Sequence, residues 1–338
     1  MTGPARSGSA VSGPAVSAPV VSGPAVSGPA VSGPAVSGPA VSDPADRLSL
    51  NQWTVRGWGV REAVDGCARH GIGAIGLWRE QVADFGLARS AALARDAGLR
   101  VSSLCRGGFF NRPGWLDDNR AAIDEAAELG AACLVLVVGG LPPPPARSAQ
   151  RGSPPPPARP GQPGLPPPPA DLAAARAHMR DAVAELVPYA AERGVRLALE
   201  PMHPMYCADR GVLCTLAQAL DIAAAHPPRT VSVMIDTFHL WWDPEVLTQL
   251  ARAGREQRIA GFQVSDFLVP LPADVLLGRA MMGDGVIDFG PLCRAVTKAG
   301  YTGDVEVEIF NADIWAADPD DVLALMKARY QALIAPAL

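Results

Sequence analysis

Eight short apolar runs, each followed by a longer stretch of helical periodicity, predict a (β/α)8 TIM barrel. Two further observations support that class. Glycine stands between helical pattern and next strand at Gly71, Gly98, Gly130, Gly194 and Gly300, where helix C-caps need it. The turn after the first run, Trp53-Thr54-Val55-Arg56-Gly57-Trp58, lacks the glycine-rich phosphate motif of a doubly wound nucleotide-binding sheet.

The runs expected to be strands are residues 48–53, 74–78, 100–105, 132–138, 195–200, 231–236, 259–264 and 304–309. Helical patterns fall between them at 60–69, 87–97, 121–129, 172–193, 213–225, 244–253 and 291–299, with a last one at 319–334. Two stretches stand outside this alternation. Residues 10–44 repeat the unit A-V-S-G-P seven times, and residues 141–169 are mostly proline, arginine and glycine; together they hold about two thirds of the 34 prolines. Neither can bury enough surface to offset the entropy of ordering, so residues 1–46 are expected to be a disordered tail and 141–169 a disordered insert after strand four. A lid over the active-site face is the less favoured reading of that insert. The remaining part of 47–338, about 260 residues, suits one barrel domain.

Composition excludes several classes. A net charge of −5 gives no electrostatic basis for nucleic-acid binding. No apolar run approaches the roughly 20 residues that cross a bilayer, and Pro and Gly interrupt the N-terminus too often for a signal peptide. The six cysteines, without a CxxC pair, match reduced thiols, so a cytoplasmic protein without membrane or nucleic-acid partners is expected. Lys298 and Lys327, the only lysines, fall in helical patterns, which argues against Schiff-base chemistry.

In a barrel the chemistry belongs at the C-terminal ends of the strands. There the sequence places Glu200 on strand five, Asp236 on strand six, Gln263 on strand seven, and Glu306 and Glu308 on strand eight. Taken singly, each has an ordinary explanation as a helix N-cap, a salt-bridge partner or a barrel-layer residue. Three carboxylates converging on one point would repel and protonate unless a cation neutralised them. An all-oxygen donor set favours a hard divalent ion, Mn2+ or Mg2+, with Co2+ and Zn2+ as alternatives. By strand period Glu306 and Glu308 share a face, so either would serve.

The motifs resemble the xylose isomerase-like TIM-barrel superfamily. They are Glu200-Pro201, D-x-x-H at Asp236 and His239, Q-x-x-D at Gln263 and Asp266, G-D-G-x-I-D-F at residues 283–289, and the last-strand glutamate. The resemblance covers the chain from about residue 47 onward without the insert; glutamine on strand seven is similar to hydroxypyruvate isomerase-like members, where epimerase-like ones often carry histidine. It implies one divalent metal on Glu200, Asp236, Gln263 and Glu308, with Glu308 preferred because Ile309-Phe310 follows it. It also implies isomerisation or epimerisation of a small sugar, polyol ketone or sugar acid, phosphorylated or not, through a cis-enediolate. Glu200 and Glu308 would be the acid/base pair and His239 a hydrogen-bond partner of the substrate.

Around these, His203, Arg210, Arg279, Asn51, Gln52 and Arg106 are candidate substrate contacts. Trp53, Trp78, Trp241, Trp242 and Trp315 are candidate sugar-stacking faces. The competing readings are a dehydratase of the inosose or dehydroshikimate type, a barrel that binds a metabolite without turnover, and the superfamily's three-zinc DNA-cutting branch. The five histidines and the negative charge count against the last. Relatives implied by the resemblance are often homo-oligomers.

Overall fold

The computed structural model describes residues 43–141 and 171–338; the repeat tail to residue 42 and the insert from 142 to 170 lie outside the described residues. Seven parallel strands follow in chain order: β1 (Leu48–Asn51), β2 (Ala74–Trp78), β3 (Arg100–Gly108), β4 (Leu134–Val137), β5 (Leu197–Leu199), β6 (Val231–Asp236) and β7 (Ile259–Val264). A short antiparallel hairpin, β8 (Asp266–Phe267) and β9 (Arg279–Ala280), then crosses the barrel mouth. Finally β10 (Val305–Val307) pairs with β7 on one side and β1 on the other, closing an eight-stranded barrel.

Period two decides which side chains face the barrel axis. Leu134 and Leu136 of β4, Leu197 and Leu199 of β5, and Val305 and Val307 of β10 point outward and are fully buried beneath the helices. The main apolar core therefore lies between barrel and helix ring. Inside the barrel a smaller cluster remains, built from Cys133, Val135, Ala198, Met234 and Ala260. Above Ala198 and Met234 the same inward parity presents Glu200 and Asp236, and on β10 it presents Glu306 and Glu308.

All five glycines expected to stop helices take left-handed backbone, Gly130 at φ 63° for example, which a Cβ would disfavour. Element ends depart from the sequence pattern where side chains capture backbone. The first strand stops at Asn51, because its Oδ1 accepts the Trp53 N–H (3.0 Å) and turns Gln52–Val55 into a 3-10 helix. Helix Arg79–Phe85 and the β8–β9 hairpin were not legible as separate elements. Residues 44–46, assigned to the tail, begin a 3-10 turn, Pro44–Arg47. Asp43 caps it and the Tyr330 hydroxyl donates to the Pro44 carbonyl (2.6 Å).

Candidate active site

A cavity of about 410 Å3 opens at the C-terminal mouth of the barrel. Glu200, His239, Arg279 and Glu308 line it from four successive strand ends and loops. Its aromatic side holds Trp53 and Trp78, stacked with centroids 4.4 Å apart. Phe310 lies 5.7 Å from Trp78 edge-on, and Trp315 lies 5.9 Å from Phe310.

Beneath the cavity lies a closed polar layer centred on Glu306. Its Oε1 accepts from Asn51 Nδ2 (2.6 Å) and Gln263 Nε2 (3.0 Å), and its Oε2 from Ser102 Oγ (2.6 Å) and Ser103 Oγ (2.8 Å). Two consecutive serines reach one carboxylate because β3 bulges against β2: Ile75 pairs with Val101 and Gly76 with Ser103, leaving Ser102 as the extra residue. Gly76 makes room for this carboxylate, since a Cβ there would stand 2.5 Å from Glu306 Oε2. Asn51 ties the layers together. Its amide also donates to Glu308 Oε1 (3.1 Å), while its Oδ1 accepts the Trp78 indole N–H (2.8 Å).

The upper layer is less complete. Gln263 gives its N–H to Glu306, which fixes the amide and leaves Oε1 buried without a hydrogen bond among the described residues. Asp236 Oδ1 accepts the Phe238 N–H (2.8 Å). Its Oδ2 accepts no hydrogen bond and stands 2.7 Å from Arg279 Nη2 in an ion pair. The same Nη2 lies 3.1 Å from Glu308 Oε2. Arg279 is delivered by the hairpin, where it pairs with Phe267, and its guanidinium lies over the Phe238 ring at 4.6 Å.

His239 Nδ1 accepts the His203 backbone N–H (3.2 Å), so the neutral ring carries its proton on Nε2. That N–H leans toward Asp236 Oδ2 (3.9 Å) and Glu200 Oε1 (4.0 Å), and its 3.2 Å approach to Arg279 is a contact of two donors. In this tautomer Nε2 donates to an oxygen and does not ligate a metal.

Burial dominates the electrostatics. It pushes Glu308 up to about 8, against the pull of Arg279 and with added repulsion from Asp236 and Glu306. It raises Glu200 well above the usual carboxylate range, reinforced by Glu308 and Asp236. His239 falls to about 3 through desolvation and is neutral. Burial also works against the Arg279 charge, but Asp236 and Glu308 more than restore it. One guanidinium thus faces four buried carboxylates, Glu200, Asp236, Glu306 and Glu308, and leaves the cluster short of positive charge. Oxygen donors converge, Gln263 Oε1 lacks a partner among the described residues, and carboxylate oxygens of Glu200 and Asp236 lie within 4.8 Å of one another. This set fits one divalent cation.

Of the sequence candidates, Glu200, Asp236, Gln263, Glu308, His239, Arg279 and Asn51 meet in this cluster, and Trp53, Trp78, Trp315, Arg106 and Arg210 line the cavity above it. Others do not. His203 gives its backbone N–H to His239, while its ring lies against Trp242 and Phe267 and its Nδ1 caps the turn Pro204–Tyr206 by accepting the Met205 N–H. Gln52 turns to the Trp58 carbonyl, Trp241 packs on Phe267, and Trp242 donates to the His239 carbonyl. Asp266 is a loop anchor: its carboxylate accepts the N–H groups of Phe267, Gly283, Gly285 and Ile287, all within 3.0 Å, and so shapes the glycine loop. Sequence reasoning missed Ser102, Ser103, Tyr206 and Phe310. Only the polarity of the two adjacent serines on an inner strand hinted at the first pair.

Residues 64–329 match the family model described as xylose isomerase-like TIM barrel. Among solved structures, the protein SMc04130 of Sinorhizobium meliloti 1021 is 44% identical with a TM-score of 0.75, the match covering 86% of this chain and 98% of that one. The IolI protein with a bound zinc atom (19% identity, TM-score 0.68, 86% and 99% covered) shares the fold. So does an L-ribulose 3-epimerase (18%, 0.61, 86% and 95%). No curated protein matches the chain. With most of its length matched by the family model and this barrel closed around the acidic cluster, the chain belongs to the xylose isomerase-like TIM barrel family.

Proposed function

We propose that the protein is a divalent-metal-dependent isomerase or epimerase of a small sugar, polyol ketone or sugar acid. The observation that carries this reading is the juxtaposition, at the base of one cavity, of two buried glutamates with an oxygen cluster that a single arginine only partly neutralises. Glu200, Asp236, Gln263 and Glu308 would hold the metal, and His239 stays outside the ligand set by its tautomer. When bound, the ion would polarise the substrate carbonyl and lower the cost of negative charge on its oxygen. Its oxygen donors favour Mn2+ or Mg2+, and the zinc of the IolI relative keeps Zn2+ a candidate.

The chain's own residues do the rest. One of Glu200 and Glu308 takes the proton from the carbon beside the carbonyl, and the C–H electron pair moves onto the carbonyl as an enediolate. The other glutamate returns a proton, to the opposite face of the same carbon in an epimerisation, or to the former carbonyl carbon in an isomerisation, where the proton of the adjacent hydroxyl also passes to the former carbonyl oxygen. The Nε2–H of His239 and the guanidinium of Arg279 donate to substrate oxygens as charge develops on them. Trp53, Trp78 and Phe310 offer flat faces to the sugar carbons and keep water from the reacting centre.

The test combines metal analysis with proton exchange. Purified protein should carry a stoichiometric divalent ion and catalyse deuterium uptake from D2O next to the carbonyl of one member of a ketose, inosose and hydroxypyruvate panel. Glu308→Gln should lose both. Wild-type protein that takes up no metal after reconstitution would refute the proposal.

A further inference from the structure

Two arginines on the rim of the cavity have no role in the chemistry above. Arg106 stands near the active-site end of β3, and Arg210 stands in the loop after β5, which is pinned by the Gly139–Gly211 bridge to the end of β4. Both line the cavity that reaches Glu200 and Glu308.

Arg106 is half-buried, yet its guanidinium makes no hydrogen bond and has no carboxylate within 4.0 Å among the described residues. It lies 4.6 Å from the Phe109 ring and 5.6 Å from the Trp78 ring, held by aromatic faces with its N–H edges unbonded. Residues 1–42 and 142–170 contain no Asp or Glu, so the sequence offers no carboxylate there. Arg210 touches its neighbour Asp209 at 3.5 Å, a pair whose acid is 64% exposed and therefore screened. Among the described residues the acids on the same rim form no ion pair with either cation: Glu80 is exposed, and Asp274 caps the 3-10 turn Val275–Leu277 through the Leu276 N–H. Burial lowers the pKa of Arg106; the distant Glu80 carboxylate pulls the other way, and Arg210 and Arg112 add repulsion, so the charge is only partly compensated. A half-buried planar fork with every donor free is the arrangement that grips a carboxylate or phosphate in two-point fashion.

We propose that the substrate carries an oxyanion, carboxylate or phosphate, at the end remote from its carbonyl, and that Arg106 and Arg210 bind it. The inference rests on the proton-transfer reading for the other end of the substrate. It narrows the substrate class to sugar acids or sugar phosphates and makes the two arginines specificity determinants.

The experiment is calorimetric titration of Mn2+-reconstituted wild type, Arg106→Gln, Arg106→Lys and Arg210→Gln. The probes are inorganic phosphate, acetate, and matched sets of neutral ketoses with their uronates and 6-phosphates. Circular dichroism and metal content check folding, and Arg106→Lys covers the case in which the glutamine variant fails to fold. In wild type an anionic probe should bind at least about tenfold tighter than its neutral counterpart. Each glutamine variant should lose that advantage, and Arg106→Lys should keep only part of it, because an ammonium lacks the fork. Uronates against phosphates decide which oxyanion is bound. Equal binding of neutral and anionic members, no binding of any anion, or anion binding unaffected by both glutamine variants would overturn the proposal. Deuterium exchange on the same probes separates the two readings. Arginine-dependent anion binding without exchange leaves the anion site standing and removes the isomerase, and exchange confined to neutral ketoses does the reverse.

Discussion

The two glutamates of the last strand, two residues apart on one inward face, have opposite surroundings. Glu306 accepts four side-chain hydrogen bonds, from Asn51, Gln263, Ser102 and Ser103, and sits in a layer with its acceptors satisfied. Glu308 accepts one from Asn51, pairs with a shared arginine, and looks into the cavity. Both are nearly inaccessible to solvent, so burial alone does not separate them. Satisfaction does: a carboxylate whose lone pairs are all occupied holds structure, and one left short is available for chemistry.

The comparison can be broken most directly at Glu308. Glu308→Gln removes an acid/base group, so proton exchange with the competent substrate should fall by roughly 100- to 10,000-fold while the fold persists. Near-wild-type exchange would transfer the role to another group. Glu306→Gln tests the lower layer. The NH2 that replaces one oxygen must then face two of its four donors, either the two serine hydroxyls or the Asn51 and Gln263 amides, and in the second arrangement Gln263 loses the partner that fixes its amide. Divalent-metal affinity, read by titration calorimetry, should weaken by about 10- to 100-fold. Unchanged affinity would mean that Gln263 needs no such support. Gly76→Ala presses a methyl against Glu306 Oε2 and should lower stability to denaturant by about 1–3 kcal/mol. A comparable or smaller change is Ser102→Ala, which removes one of the four hydrogen bonds to Glu306 and the Ser49–Ser102 hydroxyl contact, and should cost about 1–2 kcal/mol in the same measurement. A larger loss than for Gly76→Ala would show that the bulge, and not the room left by the glycine, sets the geometry.

The sequence went further on strands than on what joins them. Short apolar runs located every barrel strand and put Glu200, Asp236, Gln263 and Glu308 at the strand ends, because such runs, and the period of two within a strand, are local properties of the chain. The same period put Glu306 and Glu308 on one face but could not rank them, since that ranking depends on donors from β1, β3 and β7. A bulge is a mismatch between two strands and leaves no mark on either alone, so the pairing of Ser102 with Ser103 on one carboxylate was not legible. Arg279 was found as a candidate. Its place between Asp236 and Glu308 comes from a two-residue hairpin too short to carry a pattern. Asp266 shared a motif with Gln263, yet three of its four hydrogen bonds turn toward the glycine loop and the fourth is to the adjacent Phe267 N–H.

The aromatic side of the cavity gives the protein a built-in optical reporter. Three of its seven tryptophans, Trp53, Trp78 and Trp315, border the space where a ligand would sit, and guanidinium groups lie over all three rings, Arg106 over Trp78 and Arg56 over Trp315 and Trp53. A ligand that draws either arginine away, or excludes water from these indoles, changes the polarity around the emitting rings. Intrinsic fluorescence should therefore follow occupancy without any label, and a compound that binds by calorimetry yet leaves the emission unmoved would be binding outside this cavity.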